Sequence, residues 1–311
     1  MKKVLFVSGI GGDTRRYRCL HHQEQLALQG IASSLREATD TQLYIDILQH
    51  DMIILHRVAD SDMIADLISI ACLRGLPVIF ETDDLIFEPT LSKQIAYIDS
   101  LSPEEAIRFR ESLFAQAQCF SRCDYVLTTN RYLANAAEKQ GKKAYIQRNA
   151  FSSEMIRCAE KVFSQSQQLP ATESNENLHE TTVTLGYFSG TNSHNRDFDS
   201  IADALLTLFG QYPNLYLHIG GYLELSPQFQ PFKARILRTP FVPWQELPGI
   251  IAKVDINLAP LEMNNPFCHA KSEIKYSEAA LVGVPTIASA TDAFAYAITP
   301  GENGLLATTT D

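Results

Sequence analysis

Basic residues are in short supply. The 311-residue chain carries 26 Lys and Arg against 36 Asp and Glu, a formal net charge of -10. A general nucleic-acid binder needs a basic face, so that class is set aside; a local basic pocket for a phosphate stays open. Cysteine in metal-binding spacing is also lacking. The six cysteines stand at 19, 72, 119, 123, 158 and 268, and the C-x3-C pair Cys119 and Cys123 has no second pair to complete a tetrahedral site. Most lie in apolar segments, which reads as free buried thiols in a reducing cytoplasm. No long apolar run opens the chain: "MKKVLFVSGIGGDTRR" is too short to span a membrane and is broken by glycines, so it reads as a first strand and not a signal peptide. No repeat of solenoid period appears.

What is present is 45% apolar and 20% charged residues, the profile of a soluble globular protein. The length exceeds one ordinary core and predicts two domains. "KVLFVSG", "MIILHR", "PVIFETDD", "YVLTTN" and "KAYIQRN" read as strands, separated by the helical stretches "RCLHHQEQLALQG", "DMIADLISIACLRG", "PEEAIRFRESLFAQAQCFSRC" and "RYLANAAEKQG". Residues 164–182, "SQSQQLPATESNENLHETT", interrupt the pattern with polar residues and Pro170 and read as a linker. The alternation then restarts through "VTLGYFSG", "LYLHIGG", "INLAPL" and "PTIAS". Fully apolar strands alternating with helices predict parallel sheets covered on both faces.

Ligands of such sheets bind outside the carboxyl ends of the strands. In "SGIGGDTRRYR", Gly9, Gly11 and Gly12 follow the first strand, without a dinucleotide fingerprint or a P-loop lysine. The stretch is either a loop that lets backbone approach an anion or a sugar, or a tight turn with Arg15, Arg16 and Arg18 solvated. Asp83 and Asp84 end the strand "VIFET" and are either site carboxylates or a capped strand end. "YFSGTNSHNRDFDS" places Gly190, Thr191, His194 and Arg196 between a strand and a helix, an arrangement suited to an anion.

The segment "KSEIKYSEAALVGVPTIAS" sets two lysines and two glutamates against a core element. On a helix starting near Glu273, Lys271 and Lys275 are four apart and flank one face. The helix start and Lys271 suit a diphosphate, and a glutamate suits a ribose diol. The alternative is an amphipathic helix with solvated lysines.

The order "SGTNSHNRDF … INLAPL … KSEIKYSEAALVGVPTIAS … GENGLLA", with "CDYVLTTNRYLANAAEKQGKKAYIQRNAF" before it, resembles retaining GT-B glycosyltransferases of family 4, of a bacterial polysaccharide-assembly type. The resemblance implies an α/β fold of two Rossmann-like parallel-sheet domains facing across a cleft. Residues 1–163 would form the acceptor-side domain, 164–182 the linker and 183–311 the nucleotide-sugar domain. The family's closing helix would be missing, as in a piece of a longer multidomain chain.

The resemblance further implies transfer of a hexose from a nucleoside-diphosphate sugar to a hydroxyl, with retention and with neither metal nor cofactor. The implied acceptor is a saccharide or a lipid-linked one, reached in the cytoplasm and with peripheral membrane association. Arg196, Lys271 and His56 carry the catalytic expectation, with Arg57 competing for the place of His56. Gly190, Thr191, Gly221, Ile274, Lys275 and Glu278 are expected to bind the donor, and Gly11, Gly12, Asp83 and Asp84 to line the acceptor side. Glu278 takes the second glutamate of the family's E-x7-E motif, while the first falls on Ala270. Of the family's basic pair, the first falls on Thr191 and the second is kept as Arg196. A non-catalytic sugar-nucleotide or glycan-binding module and a sugar-nucleotide epimerase of the same fold are the alternatives.

Overall fold

Strand composition decides the layout of both sheets. The computed structural model describes residues 2–95, 98, 101–168, 182–190 and 195–309. The chain divides into two units, one of Met1–Ser152 with His269–Ser272, the other of Ser153–Cys268 with Glu273–Asp311.

In the first unit the apolar strands β1 (Lys3–Ser8), β3 (Met52–His56) and β4 (Val78–Thr82) are almost wholly buried and lie side by side. The less apolar strands β2 (Ala32–Glu37) and β6 (Lys143–Ile146) take the two edges, and β5 (Tyr125–Thr128) joins β4 to β6. All five pairings are parallel, in the order β2-β1-β3-β4-β5-β6. The crossover helix Asp62–Leu73 buries Ile64, Leu67, Ile68 and Ala71, one helical face. Ser61 caps its start by accepting from the Ile64 amide. The helix Pro103–Ser121 opens on a full capping box between Ser102 and Glu105.

The second unit repeats the plan with β7 (Val183–Ser189), β8 (Leu215–Gly221), β9 (Ile236–Thr239), β10 (Ile256–Ala259), β11 (Thr286–Ser289) and β12 (Gly304–Ala307). The order is β12-β11-β10-β7-β8-β9, again all parallel. One core cluster joins Leu185, Tyr187, Leu217 and Ile219 to Phe198, Leu205 and Phe209 of the helices Asn195–Asp199 and Ala202–Gln211. A separate cluster joins Phe188 to Ile250, Ile251, Val254 and Val282.

The sequence reading ends the first domain at residue 163. In the structure the helix Ser153–Gln168 groups with the second unit, because its buried Ala159 shares the core of Phe188, Ile250 and Val282. That helix also occupies the first residues of the expected linker, and residues 169–181 lie outside the described residues. Among the described residues no helix is long and apolar enough to cross a membrane.

Two glycines fix the loops at the carboxyl ends. A Cβ on Gly9 would stand 2.3 Å from the Arg57 carbonyl oxygen, so only glycine lets the end of β1 approach the end of β3. Gly221 has φ +82°, and a Cβ there would stand 2.0 Å from the Ser189 carbonyl oxygen. Gly11 and Gly190 have open space around the same position. Gly221→Ala should therefore destabilise the protein by at least about 1–3 kcal/mol, the usual cost of such strain. Gly11→Ala should leave the midpoint of urea unfolding nearly unchanged; equal effects of the two substitutions would contradict the close approach at Gly221.

Candidate functional site

Each sheet reverses its strand order once, between β1 and β3 in the first unit and between β7 and β10 in the second. Ligands of open parallel sheets gather outside the carboxyl ends at such a point. Of the candidate residues, Gly11 and Gly12 follow β1, Arg57 follows β3, Gly190 follows β7 and Lys271 follows β10, while Asp83 and Asp84 follow the neighbouring β4.

In the first unit the edge is built on buried charge. Arg18 and Glu81 are both without exposure, and Arg18 Nε donates to Glu81 Oε1 at 2.6 Å. Arg18 Nη1 donates to Asn149 Oδ1 at 3.1 Å. His56, also fully buried, has Nδ1 2.8 Å from Ser8 Oγ, and Nε2 3.3 Å from Thr14 Oγ1 and 3.7 Å from Glu81 Oε2. Thr14 donates to Asp83 at 2.6 Å.

Toward solvent follow partly exposed groups. Arg57 reaches Asp83 at 2.6 Å and Asp84 at 3.1 Å, and Lys271 reaches Asp84 at 3.2 Å. Arg57 has φ 48°, the only positive φ of a non-glycine among the described residues. Such strain persists where surrounding contacts over-determine the backbone; here the Arg57 amide donates to the Glu81 carbonyl, and the Arg57 carbonyl lies against Gly9, where a side chain would not fit.

The electrostatics follow the same gradient. Burial lowers the His56 pKa to about 3 and that of His22 to about 3. Burial pushes Glu81 up to about 7, against the pull of Arg18. For Asp83 burial also acts upward, but Arg57 outweighs it and holds the carboxyl well below the usual range. Asp84 is lowered likewise, burial being outweighed by Lys271 and Arg57.

Residues His269–Ser272 pack with the first unit, although the chain on both sides of them belongs to the second. Asn130 Nδ2 donates to the carbonyls of Ala270 and Lys271 at 2.8 and 3.2 Å, and Asn149 Nδ2 to Ser272 Oγ at 3.0 Å. His269 stacks on Tyr132. Ala270 is completely buried.

In the second unit the end of β7 and the helix Asn195–Asp199 are each tied to a neighbouring segment. Tyr222 N–H donates to the Ser189 carbonyl at 3.0 Å. Asp197 Oδ1 accepts from the Glu262 amide at 3.2 Å and from Cys268 Sγ at 3.3 Å, joining the helix Asn195–Asp199 to the segment after β10. Asp197, Glu262 and Cys268 bring three potential ligand atoms within 4.8 Å of one another. Arg196 and Gly190 are exposed, and Glu278 is half-buried on the helix Ile274–Ala280. Asn257 Nδ2 ties that helix to β10 through the Lys275 carbonyl at 3.1 Å.

Several expectations need correction. Lys271 and Lys275 do not share a helical face: the helix begins at Ile274, so Lys271 precedes it and the spacing of four has no meaning there. Lys275 instead donates to the Phe188 carbonyl and lies over the Tyr187 ring. The three arginines after the glycine loop are not simply solvated, since Arg15 pairs with Glu37, Arg16 with Asp13 and Arg18 with Glu81. Gly9 makes the close approach, while Gly11 and Gly12 stand exposed beside it. Thr191 and His194 lie outside the described residues.

Sequence reasoning gives Thr14, Glu81 and Asn130 no role of their own and treats Arg18 only as a charge beside the glycine loop. A glutamate inside the apolar run "PVIFET" was the available signal, because a buried carboxylate needs a partner.

Residues 182–311 match the model of the family described as Glycosyl transferases group 1. No curated protein gives a significant match by sequence. Among solved structures, Anabaena Alr3699/HepE in complex with UDP and glucose is similar at TM-score 0.60 and 14% identity, over 100% of this chain and 87% of that one. WaaG, a glycosyltransferase involved in lipopolysaccharide biosynthesis, is similar at TM-score 0.57 and 11% identity, over 97% of this chain and 85% of that one. UDP-GlcNAc 2-epimerase from Methanocaldococcus jannaschii is similar at TM-score 0.50 and 11% identity, over 100% and 89%. At these identities the likeness is one of fold, and it agrees with the expected α/β class of two parallel-sheet units, as in GT-B proteins.

Removing one partner of a buried ion pair typically costs about 3–5 kcal/mol, because the other charge stays desolvated. Arg18→Leu should lower the unfolding free energy by about that amount; a loss within the error of denaturant titration would contradict the buried pair. A second expectation concerns acid. His22 is neutral in the folded protein down to about pH 3, while an unfolded histidine takes a proton near 6.5. Its contribution is therefore complete above 6.5 and lost as pH falls toward 3. In His22→Asn the decline of stability between those limits should be shallower than in the parent, and an unchanged slope would count against the burial of His22.

Proposed function

We propose that the protein is a retaining glycosyltransferase. It moves a hexose from a nucleoside-diphosphate sugar to a hydroxyl of a saccharide or lipid-linked acceptor, in surface polysaccharide or glycoconjugate assembly, in the cytoplasm and without a metal ion or further cofactor. The observation that carries the reading is the match of residues 182–311 to the Glycosyl transferases group 1 model, on a unit whose strand order is that of nucleotide-binding sheets.

The roles follow from chemistry. Glu278, half-buried on the helix after β10, accepts two hydrogen bonds from the ribose diol of the donor. Arg196, exposed beside the loop after β7, meets the diphosphate and gains strength as the leaving charge grows. Lys271 is the second cation proposed for that charge. It has a local competitor in Asp84, so an arriving diphosphate must draw it from a carboxylate at 3.2 Å.

Ala270 is buried and holds Asn130 through its carbonyl. That position therefore serves packing, and a glutamate side chain has no exposed place there. His56 is enclosed on all sides, whereas Arg57 next to it is partly exposed, so Arg57 is the better candidate of the two to touch a sugar. The acceptor hydroxyl is assigned to the partly exposed carboxylates Asp83 and Asp84 beside the loop of Gly11 and Gly12.

The UDP-GlcNAc 2-epimerase neighbour keeps a second reading in view, interconversion of a free nucleotide sugar. Turnover separates the readings. A transferase consumes donor in proportion to acceptor, an epimerase needs no acceptor, and a binding module turns over nothing. Glu278→Ala should weaken UDP or GDP by about 1.5–3 kcal/mol in isothermal titration, the worth of hydrogen bonds to a charged group. Arg196→Ala and Lys271→Ala should lower kcat more than donor affinity, as contacts that strengthen in the transition state do. Parent-like nucleotide binding in the Glu278 variant would remove the ribose role.

A further inference from the structure

We propose that His56 and Glu81 hold one proton between them, as a buried pair that links the Arg18 ion pair to the Thr14–Asp83 edge of the first unit. The inference does not depend on glycosyl transfer. It comes from counting donors around His56.

Ser8 has one hydroxyl proton, and it is donated to the Ile10 carbonyl at 2.7 Å. Ser8 Oγ therefore offers only lone pairs to His56 Nδ1 at 2.8 Å, and Nδ1 must be the N–H donor of that contact. Thr14 also has one hydroxyl proton, and it is donated to Asp83 at 2.6 Å. So Nε2 faces lone pairs on Thr14 Oγ1 at 3.3 Å and on Glu81 Oε2 at 3.7 Å. Glu81 Oε2 is buried and has no hydrogen-bond partner. With Glu81 ionised and Nε2 bare, three acceptors would face one another without a proton, two of them on side chains with no exposure, which is costly.

One proton removes the conflict in either of two places. On Glu81 Oε2 it points at Nε2 and leaves His56 neutral; on Nε2 it makes an imidazolium between Glu81 and Asp83. The total charge is the same in both. The directions of the two pKa shifts agree with a proton count of one, since burial favours a neutral carboxyl and a neutral imidazole.

The surrounding groups divide in two. Arg18 from the first helical segment and Arg57 after β3 oppose a proton at either place: Arg18, bonded to Glu81 at 2.6 Å, weighs most against the proton on Glu81, while Arg57 and Arg15 weigh against an imidazolium at His56. Asp83 after β4 favours the proton on His56. Cys19 faces Glu81 as a neutral thiol, its pKa raised by burial and by that carboxyl. The balance makes the pair sensitive to charge placed beside Thr14. An anion there draws the proton to His56, and a cation returns it to Glu81, without exchange with solvent. Both residues are thus positioning residues for the edge.

The test uses the full chain labelled with 15N-histidine and 13C-carboxyl glutamate, at about pH 6, below the value near 7 for Glu81. Two spectra support the proposal: a protonated Glu81 carboxyl with His56 protonated at Nδ1 only, or an ionised Glu81 with both His56 nitrogens protonated. An ionised Glu81 beside a His56 protonated on a single nitrogen, whether Nδ1 or Nε2, overturns it. Glu81→Gln supplies a second readout, because its amide can donate to Nε2 while its carbonyl accepts from Arg18. In that variant the Nε2 signal should keep the shift of a hydrogen-bonded acceptor, and in Glu81→Leu it should move to that of a free one. Identical His56 spectra in the two variants would also overturn the pair.

Discussion

A guanidinium and a carboxylate, both withdrawn from water, set the terms for the first unit. Arg18 comes from the helical segment after β1 and Glu81 from the end of β4, so the pair staples two crossovers across β3. Charges buried this deeply cost several kcal/mol each to desolvate, and their attraction offsets that only with good geometry and further hydrogen bonds. Asn149 supplies one of those bonds, and its other amide end holds Ser272. The order of the loops at the carboxyl edge is thus a consequence of satisfying one ion pair.

The two sheets share a plan but not an edge. At the first, every charged group near the strand reversal is already matched: Arg57 by two aspartates, Lys271 by Asp84, Asp83 also by Thr14. Such an edge has little net charge to offer and much hydrogen-bonding capacity. At the second, Asp197 braces its helix against the segment after β10, and Arg196 stands exposed beside it.

The fold was readable where burial on both faces demanded continuous apolar strands, as in β1, β3, β4, β7 and β8. It was not readable at "ASSLRE" and "ILRT", because edge strands β2 and β9 need no apolar run. The helix Ser153–Gln168 was hidden by the polar residues that fill its last turn. Among candidate residues, Asp83 and Asp84 were found from position alone, and the structure brings them together with Arg57. Arg18 was passed over because arginines near a glycine loop look solvated, and only the three-dimensional partner reveals otherwise. The pairing of Lys271 with Lys275 failed for a local reason: a helix rule was applied one turn before the helix exists.

The segment His269–Ser272 also constrains how the protein is made. Its hydrogen bonds to Asn130 span 140 residues of chain, and the Lys271–Asp84 contact spans 187. On a ribosome that releases about 5–20 residues per second, Asp84 and Asn130 wait on the order of ten seconds or more for these partners. Until then Arg57 is the cation available to Asp84, and the Asn130 amide donates to water. The first unit thus emerges first and is finished late, and its last contacts form only after much of the second unit has been synthesised. A cell expressing the two stretches as separate chains would have to bring four residues back by diffusion.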